Sequence, residues 1–228
     1  MISLDGVTHS FGLGTARRAV LDDVTVSLAE QRIGVIGANG SGKSTFARLL
    51  NGLVLPDRGT VTIDGLDPRR DGKEVRRRVG FVFTDPDAQI VMPTVQEDVA
   101  FGLKRRGLTS AELADRVARA LADFGLAELA DSPAHSLSGG EKQLLALCSV
   151  LVTEPAVLVL DEPTTLLDLR NAHRIGALLD SLAQQVVLVT HHLELLAAYD
   201  RVLVFDEGRL VCDDSPAAAI DVYRRLMA

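Results

Sequence analysis

The chain of 228 residues has no tryptophan, few aromatic residues (4%) and two cysteines, Cys148 and Cys212. The two thiols have no metal-ligand spacing and form no disulfide framework. Both lie in apolar stretches, so buried, reduced thiols are expected. Long hydrophobic runs are missing too. The longest stretch without a formal charge, residues 181–193, contains Gln, Thr and His. A membrane-spanning helix needs about 20 apolar residues, so no segment is expected to cross a bilayer by itself. An excess of basic charge is also absent. Lys and Arg number 24 against 31 Asp and Glu, a net charge of −7 that opposes binding to nucleic acid. The first residues carry neither the basic start nor the apolar block of a secretory signal, and a cytoplasmic chain is expected. Glycine (19) and proline (8) are at ordinary levels, so a glycine cluster has to be a local feature.

What is present is an alternation of short β-branched runs with helical stretches, the pattern of an α/β domain. Strands are predicted at 24–26, 31–36, 59–64, 79–83, 155–160 and 186–190. The last two are continuous apolar runs, as in strands buried on both faces. A helix is predicted over 43–51, stopping at Gly52, and a hairpin over 201–205 and 209–211 around Asp206-Glu207-Gly208. Residues 86–151 contain no strand candidate. Helices are predicted there at 95–105 and 109–124, the second opened by the capping box Thr109-Ser110-Ala111-Glu112. Ser138-Gly139-Gly140-Glu141 has the same form and precedes an apolar helix through Val150. The expected organisation is one domain: a core of residues 1–85 and 152–211, an inserted helical lobe at 86–151, and a terminal helix at 212–228. The basic clusters Arg76-Arg77-Arg78 and Lys104-Arg105-Arg106 are read as solvated faces.

Gly37-Ala38-Asn39-Gly40-Ser41-Gly42-Lys43-Ser44 fits G-x-x-x-x-G-K-[ST] between a strand and a helix. Glycines allow the sharp turn that aims successive N–H groups at a phosphate, and the helix adds its positive N-terminal dipole. Lys43 would reach the β- and γ-phosphates and the Ser44 hydroxyl would ligate Mg²⁺. Val157-Leu158-Val159-Leu160-Asp161-Glu162 is an apolar strand ending in two acids at the sheet's carboxyl edge, where ligands bind in such folds. Asp161 would hold Mg²⁺ through water, and Glu162 would polarise the attacking water. Thr190-His191 closes the next strand, so His191 is a candidate γ-phosphate contact. His9, His135, His173 and His192 are expected to be surface or satisfied residues. Leu137-Ser138-Gly139-Gly140-Glu141-Lys142-Gln143 places a hydroxyl and glycine N–H groups at a helix start, which is either a second anion site or a simple cap.

Together these motifs resemble an ATP-binding cassette (ABC) ATPase subunit over residues 2–211. Their order is the family's: phosphate loop 37–45 (through Thr45), LSGG signature 137–140, acidic strand end, D-loop 164–168 with Asp168, and switch histidine His191. The resemblance implies a P-loop NTPase core with an antiparallel β subdomain and an inserted helical subdomain. It also implies a head-to-tail dimer in which each ATP lies between the phosphate loop of one subunit and Ser138, Gly139, Gly140 and Glu141 of the other. Phe11 is the candidate for the aromatic residue that stacks on adenine, the alternative being an ordinary core Phe. A narrower likeness is carried by Val82-Phe83-Thr84-Asp85-Pro86-Asp87-Ala88-Gln89, similar to the F-Q-N-P-D-x-Q segment of energy-coupling-factor (ECF) vitamin and metal importers, the biotin branch above all. The first Gln of that segment is Thr84 here, so either Thr84 or Gln89 takes the Q-loop role toward Mg²⁺. The resemblance implies a homodimer or a pair with a sister ATPase, a transmembrane T-type component, a substrate-binding S-type component and the cytoplasmic face of the membrane. Ile90, Val91 and Met92 are the expected docking residues, with core packing as the alternative. Rival readings are an exporter or lipid-transport ATPase, and a soluble ABC protein acting on nucleic acid or ribosomes.

Overall fold

The computed structural model describes residues 1–12, 18–104 and 106–228. Among these described residues two sheets carry the fold. The larger has six strands: β3 (Arg32–Gly37), β5 (Val79–Val82), β6 (Val157–Asp161), β7 (Gln185–Val189), β8 (Arg201–Asp206) and β9 (Arg209–Asp214). Its order is β5-β6-β7-β3-β8-β9, parallel except where β9 returns antiparallel to β8. The smaller sheet, β2-β1-β4, is antiparallel and joins β1 (Ile2–Phe11), β2 (Arg18–Leu28) and β4 (Arg58–Ile63).

Alternation along the central strands explains two separate cores. In β6, Val157 and Val159 point to one face and Leu158 and Leu160 to the other; in β7, Val187 and Val189 oppose Val186 and Leu188. The first face packs on α1 (Lys43–Leu50), through Phe46, Leu49 and Leu50, and on the antiparallel sheet through Leu4, Val24 and Leu28. The second packs on the helical lobe and on α6 (Leu169–Ser181) through Ile175 and Leu179. Both faces being covered is why these strands read as unbroken apolar runs.

The lobe consists of α3 (Val95–Leu103), α4 (Ser110–Asp123) and α5 (Gly139–Leu151). Each begins with a capping box, led by Thr94, Thr109 and Ser138. The helix predicted over 95–105 ends at Leu103, and Arg105, with its part of the basic cluster, lies outside the described residues. Two further differences come from local packing. Residues 212–214 extend β9 against β8, so the terminal helix α7 is Pro216–Leu226, entered at the proline. Cys212 is accordingly half-buried on an edge strand, whereas Cys148 is fully buried, and burial pushes its thiol up to about 12. Among the described residues no helix is long and apolar enough to cross a membrane.

Candidate functional site

β3 ends at Gly37, and the chain turns through residues 38–42 into α1. Gly42 is the N-cap of α1 with φ +100, and a Cβ there would lie 2.6 Å from the Val20 carbonyl oxygen. Only glycine fits that turn. Lys43 folds back into the loop: its Nζ donates to the Gly37 and Ala38 carbonyls at 2.7 and 2.9 Å. Those are replaceable partners for an ammonium that a phosphate can claim. Burial lowers the Lys43 pKa, opposed by the charges of Glu162 and Asp161. Beside it, the buried Ser41 hydroxyl has no hydrogen-bond partner among the described residues. A cleft of about 340 Å³ opens along Ala38, Asn39, Gly40 and Ser41, bounded across by Val20 and Gly208. Thr45 lies buried in the first turn of α1.

The strand ends converge on this loop. Ser44 Oγ donates to Asp161 Oδ1 at 2.8 Å, and Arg48 lies 3.6 Å from Asp161 Oδ2. Burial raises the Asp161 pKa, with the Ser44 bond and Arg48 pulling the other way. Glu162 follows with φ +55, an uncommon backbone state for a residue with a side chain. Its N–H donates to the Val189 carbonyl of β7 at 2.9 Å, fixing the turn. Glu162 Oε2 lies 2.7 Å from both His191 Nδ1 and the Thr165 hydroxyl that donates to it. The sequence read Glu162 and His191 as separate candidates; the fold makes them a contacting pair.

The two Q-loop candidates part company. Thr84 Oγ1 donates to the Asp161 carbonyl at 2.6 Å and so sits at the acidic strand end. Gln89 turns away: Oε1 accepts from Phe83 N–H and Nε2 donates to the Ala146 carbonyl of α5, each at 3.2 Å. Phe11 is 47% exposed, so it is not a core residue. His9 departs from expectation, being buried with neither ring nitrogen hydrogen-bonded among the described residues, its ring set edge-on to Phe11 at 4.7 Å. His192 is satisfied through Thr164, 3.2 Å from its Nδ1.

The signature residues lie at α5, next to the start of α6. Ser138 Oγ donates to Glu141 Oε2 at 2.6 Å, and these bonds lower the Glu141 pKa. A Cβ on Gly140 would lie 2.8 Å from the Asn171 side chain, and Asp168 caps α6 by accepting from Asn171 N–H at 2.8 Å. The hydrogen bonds of Ser138 close within its own helix start, and none reaches residues 37–45. Two leucines of this stretch, Leu166 and Leu169, are 64% and 69% exposed. The apolar trio is split: Ile90 packs on the core, Met92 is half-buried and Val91 is exposed.

Residues absent from the sequence reading also matter. Arg48 next to Asp161 follows from helical spacing after Ser44, which places both on one face of α1. Asp98, buried on α3, accepts from Val91 and Met92 N–H at 2.9 and 3.1 Å. No local pattern announces it.

Among known proteins, the ABC transporter family matches residues 21–165. A biotin transport ATP-binding protein, BioM of Rhizobium etli, is 51% identical over 96% of this chain and 98% of its own length. An energy-coupling factor transporter ATP-binding protein, EcfA1 of Symbiobacterium thermophilum, is 42% identical over 100% of this chain and 83% of its own. One chain of the solved dimeric structure of a bacterial ABC transporter cassette matches with a TM-score of 0.86 at 27% identity, over 95% of this chain and 99% of that one.

Proposed function

We propose, from the premise that this chain belongs to the ABC transporter family and is one of its ATPases, that it drives import of a vitamin or transition-metal ion through membrane partners. Biotin is the favoured cargo, supported by the identity to a biotin transport subunit. The observation that carries the reading is the convergence of Lys43, Ser44, Asp161, Glu162 and His191 on one end of a parallel sheet. The 37–45 loop cradles the phosphates with its N–H groups, and Lys43 exchanges its carbonyl partners for phosphate oxygens. The exposed ring of Phe11 is free to stack on adenine.

A hydroxyl and a carboxylate 2.8 Å apart, Ser44 and Asp161, are hard oxygen donors of the kind Mg²⁺ takes beside phosphate and water. The Thr84 hydroxyl is a further oxygen near that strand end, while both ends of the Gln89 amide are engaged elsewhere. The ion would spread the charge developing on the phosphate oxygens. Glu162 accepts the proton of the attacking water as the new P–O bond forms and the bond to the β–γ bridging oxygen breaks, releasing ADP and phosphate. His191, in contact with Glu162, holds that carboxylate toward the water.

Among the described residues the side-chain bonds of Ser138 and Glu141 close within their own helix start, and none ties them to the phosphate loop of their own subunit. A second copy, or a sister ATPase, supplies them in trans. Exposed Leu166 and Leu169 beside Asp168 provide an apolar seam for that pairing. ATP closes the pair and hydrolysis releases it. A transmembrane T-type component and a substrate-binding S-type component carry the cargo, with this chain on the cytoplasmic face.

Glu162→Gln tests the mechanism. Hydrolysis is expected to fall by about 10²–10⁴-fold, with ATP retained and a dimer appearing on size exclusion only with ATP. Normal turnover would place the base elsewhere.

A further inference from the structure

Lys142, Ala146 and Ser149 recur at helical spacing along one stripe of α5; the first two are bonded to the segment that leaves β5, and the third to Asp98 of α3, which holds the end of that segment. Lys142 Nζ reaches both carboxylate oxygens of Asp87, at 2.7 and 3.0 Å. The Ala146 carbonyl accepts from Gln89 Nε2 at 3.2 Å. Ser149 Oγ donates to Asp98 Oδ2 at 2.8 Å, while the other oxygen of Asp98 holds the Val91 and Met92 amides. At its start the same segment is tied to the acidic strand by Thr84, whose hydroxyl donates to the Asp161 carbonyl. Residues 83–92 are therefore bonded at one end to the strand that carries Asp161, and to the helix whose N-cap is Ser138 directly at Asp87 and Gln89 and by way of Asp98 of α3 at residues 91 and 92.

We infer that Asp87 and Lys142, with Asp98 and Ser149, are positioning residues that clamp the 83–92 segment to α5, so that this segment and the signature turn move as one body. A shift of the segment then changes where Ser138 stands relative to the ATP of the opposite subunit. The inference rests on the dimer proposed above. It concerns residues that touch neither nucleotide nor metal in their own subunit. Asp87 is 62% exposed, so its end of the pair can be altered without opening the core, while Lys142, at 16%, is largely covered. The Ser149 hydroxyl is the smallest group that can be deleted at the buried end.

The test uses the Glu162→Gln chain as parent and three variants of it: Asp87→Lys, Lys142→Asp and the two together. Ser149→Ala is a fourth. Dimer dissociation constants with ATP come from analytical ultracentrifugation, and subunit ATP affinity from calorimetry at concentrations below dimerisation. Hydrogen exchange of the free subunits is followed at residues 90–92 and 139–142. Each single variant is expected to weaken the dimer about fivefold or more, the lower end of coupling between sites. Subunit ATP affinity should stay within about twofold, and exchange should quicken at both stretches together. The double charge reversal should restore the dimer and the exchange, a recovery that general loss of stability would not give. Single variants that exchange at the parent's rate, or a reversal that rescues nothing, overturn the clamp. A parent that stays monomeric with ATP overturns the dimer reading instead, and the exchange data still decide the clamp.

Discussion

Asp161 is a carboxylate that the fold places where ionisation is unfavourable, and its neighbours only partly offset the burial. A carboxyl whose pKa is raised on folding binds its proton more tightly in the folded state than in the unfolded one. Stability from this group is therefore present below its ordinary value of 3.8 and is lost as pH rises from there through the raised folded value. Asp161→Asn removes that cost at neutral pH while keeping an oxygen acceptor for the Ser44 hydroxyl. The free subunit is expected to melt at the same temperature as the parent or a few degrees higher by circular dichroism, with ATPase activity lost. A large fall in melting temperature would mean that the carboxylate holds the fold together through Ser44 and Arg48. Residues of this kind were legible in the sequence because a strand ending in two acids is a local pattern. The contact between Glu162 and His191, 29 positions apart, was not, since it needs β6 and β7 to be neighbours.

At the scale of elements, legibility followed hydrophobic pattern. Strands β6 and β7, buried on both sides, and the capped helices α4 and α5 announced themselves. Strand β1 did not. Gly6 sits at φ +56, and the pairing with β2 slips between Leu4 and Val7, which breaks the alternation. Helix α2 (Pro68–Arg78) was also missed, because Pro68 and Val75 are its only buried residues and the rest is charged or glycine. Helix α6 was not read at all, and its cap, Asp168, was named only as a D-loop residue by resemblance. The capping boxes read at Thr109 and Ser138 are present and a third, at Thr94, was missed, but a box by itself does not separate structure from function. Thr109→Ala and Ser138→Ala make that separation, since the two caps have the same form: Glu112 and Glu141 reach back to their caps' hydroxyls at 2.7 and 2.6 Å. Each substitution is expected to cost about 1 kcal/mol, or roughly 2–4 °C of melting temperature. ATP-dependent dimerisation of the Glu162→Gln chain should survive Thr109→Ala and weaken with Ser138→Ala. Equal behaviour of the two in the dimer assay would reduce Ser138 to a helix cap.

At the scale of the whole molecule, the lobe bears a surface that the core does not use. Val91 and Phe101 are 63% and 51% exposed, and an apolar groove of about 380 Å³ runs between α3 and α4 past Ala100, Leu113 and Val117. Among the described residues no helix is able to span a bilayer, and under the proposed function such a face is where the chain meets a membrane component. The sequence treated Ile90, Val91 and Met92 as one docking trio; burial separates them, because Asp98 pins the Val91 and Met92 amides and turns Ile90 into the core. Substituting Ile90 would therefore confuse folding with docking, and half-buried Met92 would do so in part. Val91→Asp avoids this, since the side chain already faces solvent and a carboxylate there stays hydrated in the free subunit. Its melting temperature and ATP affinity are expected to match the parent's. In the assembled transporter the same carboxylate would be buried without a partner, at a cost of several kcal/mol. The membrane component should therefore be lost when tagged Val91→Asp subunit is purified from detergent-solubilised membranes. Full recovery of that component would exclude Val91 from the contact and move the docking face toward the α3–α4 groove, where Ala114→Asp is the corresponding substitution.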